Sequence, residues 1–230
     1  ARGEPVDQFI PMEGAMHTEG NAVQNIGVFG GVAYIGLSHA VINGTSQAYG
    51  VVAAHTLSAA GGPPTLYSLS RANPYAVFGT SFGVLVGEVG HVEFTDGTFW
   101  RTVVAPDTQN IDVARAISAG EGGGLKRTWI ASSTFNVCTI AGDPNDWTAS
   151  AYVCGSPTTW KGSSSTVATS PCAPSFGVLA GTSGQLFVST DDGRTFTLDS
   201  PTAANILKVV ITQKGRIVAV TDDGQLFVRP

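Results

Sequence analysis

The pentapeptide Ser-Phe-Gly-Val-Leu occurs at 81–85 and again at 175–179, and Gly-Gln-Leu-Phe-Val occurs at 184–188 and again at 224–228. Both lie inside longer segments that align. "SFGVLVGEVGHVEFTDGTFW" (81–100) runs alongside "SFGVLAGTSGQLFVSTDDGRTF" (175–196), and "GRIVAVTDDGQLFVRP" (215–230) repeats its central part. Weaker copies are visible at 126–153 and 31–53, each reading strand, short turn, strand, polar turn, strand. The second of those strands centres near Ile42, Val92, Asn136, Leu186 and Leu226, at separations of about 50, 44, 50 and 40 residues, the range of four-stranded propeller blades.

A further strand precedes each unit, in "NAVQNIGVF", "PTLYSLS", "NIDVARAIS", "TTWKGSSSTV" and "NILKVVITQ". The expected fold is therefore all-β, a single five-bladed propeller of four-stranded antiparallel blades over the whole of 1–230. The blades fall at about 21–60, 63–107, 108–154, 157–200 and 205–230. The last unit ends after its third strand, and an uncovered edge strand is an association hazard. "PVDQFIPM" (5–12) is expected to complete that blade and join the two ends of the chain. "SAAGGPP" (58–64) and "GEGGGL" (120–125) are expected in connections, the second as a crossing loop between blades.

Composition fits this class: 43% hydrophobic, only 13% charged, and 29 glycines suit short strands and turns better than long helices. A net charge of -5 with 12 scattered Lys and Arg opposes nucleic-acid binding, which needs clustered cations. No apolar run approaches the roughly 18 residues of a membrane helix. Ala1 fits removal of an initiator Met or of a signal peptide, so export stays open. Cys138, Cys154 and Cys172 lack CxxC spacing; three buried thiols are expected, with one bridge and a spare thiol the alternative. Asn43-Gly44-Thr45 is a sequon that matters only on a eukaryotic secretory route.

Ser189-Thr190-Asp191-Asp192-Gly193-Arg194-Thr195-Phe196 resembles the Asp-box of the sialidase-type (BNR) repeat, Ser-x-Asp-x-Gly-x-Thr-Trp, with Phe in the Trp position. The resemblance implies a structural turn between third and fourth strands, carried by Ser189, Asp191, Gly193, Thr195 and Phe196. Its chemistry is local: side-chain oxygens bond nearby backbone and glycine supplies positive φ. Asp96, Gly97 and Trp100 form a shortened copy, and Asp143 and Trp147 a decayed one. Calcium is not expected, since the acidic spacing of its loops is missing.

Catalytic constellations are weak. Gly79-Thr80-Ser81-Phe82-Gly83 matches Gly-x-Ser-x-Gly, yet a nucleophile elbow needs a strand-to-helix turn, and Ser81 recurs as Ser175. His17, His39, His55 and His91 form no triad order. Glycoside hydrolysis needs two carboxylates, but only Asp112 is expected on an inner strand; Glu88, Glu93, Asp191, Asp192, Asp222 and Asp223 read as turn or outer positions. The arginine triad implied by a sialidase resemblance has no counterpart, Arg115 being the one inner-strand arginine. "AGEGGGLKR" lacks phosphate-loop spacing. No catalytic residue, metal or cofactor is expected.

The expectation is a non-enzymatic scaffold or binding module, and small degenerate repeats of this kind resemble structural or receptor-binding components of bacteriophage virions. Its partners would be other virion or scaffold proteins, including further copies of itself. The alternatives are a glycan-binding lectin or glycoside hydrolase with its site in the central funnel, and an assembly factor binding a protein on one face. A lectin would use exposed aromatics, for which Trp100, Trp129, Trp147 and Trp160 are the candidates.

Overall fold

The computed structural model describes residues 16–17, 23–37, 40–42, 45–47, 51–57, 65–68, 76–88, 91–103, 114–132, 136–157 and 164–230. Apart from three short 3-10 turns, every regular element in it is a β-strand, paired antiparallel in four- and three-stranded sheets. After β1 (Met16–His17), sheet 1 is built from β2 (Val23–Phe29), β3 (Val32–Leu37), β6 (Val51–Thr56) and β7 (Thr65–Ser68). Between β3 and β6 the chain makes β4 (Ala40–Ile42) and β5 (Thr45–Gln47), which pair with β1 as a separate small sheet.

The remaining sheets follow in chain order. Sheet 2 holds β8 (Ala76–Gly79), β9 (Val84–Gly87), β10 (Val92–Thr95) and β11 (Trp100–Val103). Sheet 3 holds β12 (Ala114–Gly122), β13 (Leu125–Ser132), β14 (Val137–Ala141) and β15 (Val153–Gly155). Sheet 4 holds β16 (Ser164–Thr169), β17 (Gly177–Gly181), β18 (Leu186–Ser189) and β19 (Thr197–Asp199). Sheet 5 has three strands, β20 (Ile206–Ile211), β21 (Ile217–Thr221) and β22 (Leu226–Arg229).

The core is divided into four apolar clusters, one between each pair of consecutive sheets. Tyr34, Val52, Val77 and Val86 fill the first gap, and Leu85, Phe94, Ile117, Ile130 and Ile140 the second. Trp129, Val137, Leu179 and Phe187 fill the third, and Val178, Leu186, Ile206, Val209 and Ala219 the fourth. Sheets 2 to 4 are therefore covered on both faces, which explains why β9, β14 and β17 are nearly continuous apolar runs. β20 and β21 instead alternate between buried and solvent-facing residues, as strands covered on one face do. On the uncovered face of sheet 5, register aligns Val210 with Val218 and Val228, and Val220 with Leu226. Ile26 and Val28 of β2 are likewise exposed on sheet 1, at 58% and 51%.

Sheets approach closely along their first strands. A Cβ on Gly79 would collide with the Val28 carbonyl oxygen, one on Gly27 with the Gly79 amide, and one on Gly120 with the Ser170 carbonyl oxygen. These positions tolerate no side chain. The first strands of sheets 1, 3, 4 and 5 also share an irregularity: each slips register by one residue near its start, between Val23 and Asn25, Ala114 and Ala116, Ser164 and Thr166, and Ile206 and Lys208. Bulges of this kind raise local twist and re-aim a side chain.

Several expectations are corrected. Ile42 lies in the small sheet, and β6 is the third strand of sheet 1, because the β4–β5 insertion lengthens that repeat. "PTLYSLS" does not open sheet 2: Thr65–Ser68 pairs with β6 as an outer strand, and Ala76–Gly79 takes the first position. "GEGGGL" is the tip of the β12–β13 hairpin, where Gly123 and Gly124 have φ of 60° and 78°, the signature of a tight two-residue turn. Cys138 and Cys154 form a disulfide across β14 and β15, being direct register partners, while Cys172 is a free, exposed thiol. Residues 5–12, 58–64, Asn43, Asp112 and Trp160 lie outside the described residues.

Replacing Gly79 by Ala forces β2 and β8 apart. Its expected cost is about 1–3 kcal/mol, read as a lower urea midpoint at unchanged slope, and a loss below about 0.5 kcal/mol would contradict the close approach.

Candidate functional site

Three candidate regions emerge from the residues upward: the polar turns, a buried acid–imidazole cluster and the cavities among the first strands. In the turn between β18 and β19, Ser189 Oγ donates to Asp191 Oδ1 at 2.8 Å and accepts from the Gly193 amide at 2.9 Å. The Thr195 amide and hydroxyl donate to Asp191 Oδ1 and Oδ2 at 2.9 and 2.6 Å. Asp192 and Gly193 take positive φ of 65° and 76°. These Thr195 bonds, led by that from its hydroxyl, hold the Asp191 carboxyl down to about 2.

That turn also fastens sheet 4 to sheet 3. Thr139 Oγ1 donates to the Asp192 carbonyl at 2.9 Å, Arg127 Nε lies 3.0 Å from Asp192 Oδ1, and Phe196 joins the cluster around Trp129. Every oxygen of Asp191 faces its own turn. The residues are committed to structure, with no outward ligand set.

The two related turns occupy the same place in their sheets. Between β10 and β11 the Thr98 amide donates to Asp96 Oδ1 at 3.0 Å, and Gly97 has φ of 94°. Between β14 and β15, Asp143 caps the 3-10 turn Pro144–Asp146 by accepting from the Asn145 amide at 3.0 Å. The "TDDG" at 221–224 differs, since it joins the second and third strands of sheet 5.

The tryptophans named as glycan contacts are mostly spent on packing. Trp129 is fully buried and donates from Nε1 to the Pro174 carbonyl at 3.0 Å. Trp147 is buried and stacks edge-on with Tyr152. Trp100 packs edge-on against Tyr34 in the gap between sheets 1 and 2. Trp129 and Trp147 are thereby removed as glycan platforms, because each fills a gap between covered faces.

Glu88, just past β9, and Glu93, on the third strand of sheet 2, lie at the turn and outer positions read for them, but neither faces solvent. Both are buried and flank His91, whose Nε2 lies 2.8 Å from Glu88 Oε2 and 3.5 Å from Glu93 Oε1; Thr102 Oγ1 also donates to Glu93 at 2.8 Å. Sequence spacing hid this cluster because burial is set by neighbouring strands: the Glu88 amide donates to the His91 carbonyl, and the Ala114 amide of sheet 3 donates to the Glu88 carbonyl. Both carboxylates address one imidazole nitrogen inside the protein. Among the described residues no group of three His, Cys, Asp or Glu side chains is placed to hold a metal ion.

Three cavities follow the first strands, with Phe78 in the wall of each. One, of about 230 Å³, is lined by Arg115, Thr166 and Lys208 among small and apolar residues. Partial desolvation beside the strands holds the Lys208 ammonium, whose side chain is still solvent-exposed, below the usual lysine range. Among the described lining residues there is no carboxylate. The adjoining cavity of about 200 Å³ is lined by Ser118, Thr169 and Val209, and the largest, about 350 Å³, opens at the end of the β8–β9 and β12–β13 hairpins. That opening holds Ser81 and Glu121, whose side chains meet at 2.7 Å.

Compared with known protein families and with curated proteins, the chain matches none. Among the described residues no helix is long and apolar enough to cross a membrane.

The low Asp191 carboxyl makes stability pH-dependent. An unfolded aspartate titrates near 3.9, so the contribution of this depressed group is complete above that pH and is lost as pH falls towards about 2. The urea midpoint of the wild type is expected to drop between pH 4 and pH 2, and Asp191→Asn to flatten part of that drop. Asp96 and Asp223, also held low by their turns, maintain the remainder. Parallel pH profiles for the two proteins would contradict this role.

Proposed function

We propose that the five sheets are the blades of a closed five-bladed propeller serving as a non-enzymatic scaffold or binding module. Its best-fitting place is as a structural or receptor-binding component of a phage virion, on the tail or capsid. Support for the ring comes from the first strands: Phe78, Ile117, Val167 and Lys208, from four consecutive sheets, line shared cavities. Uncovered apolar faces remain on the first and last sheets, and closure would bury them against one another. Residues 5–12 would then supply the fourth strand of sheet 5.

The observation that carries the functional reading is apolar exposure at one end of the molecule. Leu57, Phe99 and Leu125 are exposed, and they come from successive sheets at the end where first-to-second hairpins and third-to-fourth turns lie. Where such exposed apolar groups join into a patch, they mark an association surface. Glycosidase chemistry is disfavoured by the cavities, whose described walls hold one carboxylate, Glu121, where two are needed. The Cys138–Cys154 bridge suits an oxidising setting such as a particle surface.

Light scattering coupled to size exclusion tests this. The wild type is expected to run as an assembly of several copies, and Leu57→Asp with Leu125→Asp to give monomers of unchanged melting temperature. A wild type that stays monomeric at high micromolar concentration would contradict the reading.

A further inference from the structure

The two glycine-rich motifs that turn chemistry does not fully explain, Gly79-Thr80-Ser81-Phe82-Gly83 and Gly120-Glu121-Gly122, meet in one cleft of about 350 Å³. We propose that this cleft is a binding site for a neutral, hydroxyl-rich ring, the chemistry of a pyranose. The proposal rests on the binding-module reading and gives it a ligand class.

Size and composition come first. Small-ligand sites are concave, about 300–1,000 Å³, mostly apolar, and carry a few placed polar groups. Here Phe78, Phe82, Ala119 and Pro171 supply the apolar wall, against which the C–H face of a sugar ring can lie. Phe82 is held in place from below: its amide donates to Thr80 Oγ1 at 3.0 Å, the Thr80 amide donates to the Gly83 carbonyl at 2.8 Å, and its ring tilts against Phe94.

The polar groups select the ligand. Ser81 Oγ spends its proton on Glu121 Oε2, at 2.7 Å, leaving the serine oxygen and the carboxylate as acceptors. Acceptors need donors, and hydroxyl groups bonded to a carboxylate make short, strong bonds. Charge excludes the alternatives. Glu121 lies directly across the hairpin from Lys126, whose ammonium sits 5.0 Å from the Phe82 ring centre. A cationic ligand would compete with Lys126 for that ring, and an anionic one would face Glu121. A neutral ligand meets neither penalty, and can donate to Glu121. No imidazole lies among the described lining residues.

Screening of the full chain on an array of neutral, sialylated and sulfated glycans, followed by calorimetry with the strongest neutral binder, tests the site. Binding of a neutral glycan is expected, weakened at least tenfold by Glu121→Gln and abolished by Ser81→Trp, which fills the cleft. Both residues are exposed, so unchanged melting curves are expected for both variants and would exclude misfolding. Capture of no neutral glycan, preference for the charged glycans, or affinity indifferent to Glu121→Gln would overturn the proposal. Because Leu57 and Leu125 lie outside the cleft, the assembly state of the same samples separates failure of this site from failure of the scaffold reading.

Discussion

Close face-to-face approach of neighbouring sheets is the constraint from which the rest of the structure follows. Along the first strands the approach excludes even a Cβ at Gly27, Gly79 and Gly120. Such contact places the first strands side by side and leaves four gaps to be filled by larger residues. Trp129, Phe94, Phe187 and the aliphatic residues of β9, β14 and β17 fill them. Among the described residues each sheet packs mainly on its neighbours in chain order, so stability is largely a chain of local terms, and apolar residues of the two terminal sheets are left exposed. The proposed ring is the arrangement that covers both without a second protein.

Polar chemistry is subordinate to that packing. The Ser189–Thr195 turn satisfies its own side chains and then clamps sheet 4 onto sheet 3 through Thr139, Arg127 and the aromatic cluster. The Glu88–His91–Glu93 cluster is closed to solvent. At the hairpin end the cleft beside Ser81 and Glu121 is accessible, as is Leu125. In the proposed reading, structural and binding roles are separated along the strands, with packed gaps in the body and the proposed interaction surfaces at one end.

Much of the architecture was legible because repeated burial produces repeated sequence. The Ser-Phe-Gly-Val-Leu copies are the loop and second strand of sheets 2 and 4, and the Gly-Gln-Leu-Phe-Val copies begin the third strands of sheets 4 and 5. Sheet 1 misled the reading because the β4–β5 insertion put an apolar strand, Ile42, where the period demanded one. One bridge with a spare thiol was the alternative read from three cysteines, but its pairing was not legible, since strand register, not spacing, opposes Cys138 and Cys154. Tryptophan burial could not be separated from exposure by pattern alone: in sheets covered on both faces, alternation no longer reports which side meets solvent. The cleft was present only as two unexplained motifs some forty residues apart, joined by the fold.

Whether sheet 5 meets sheet 1 is the most direct question for this account. In a Cys172→Ser background, spin labels at Thr56→Cys and Lys214→Cys, both exposed at the hairpin end, report that distance by pulsed electron paramagnetic resonance. Labels at Leu125→Cys and Thr190→Cys provide the matching pair across the sheet 3–sheet 4 gap. The account predicts a single narrow distribution centred close to that of the matching pair. A broad distribution, or one centred well beyond it, would mean that the sheets form an open arc and that their terminal faces are covered by something else.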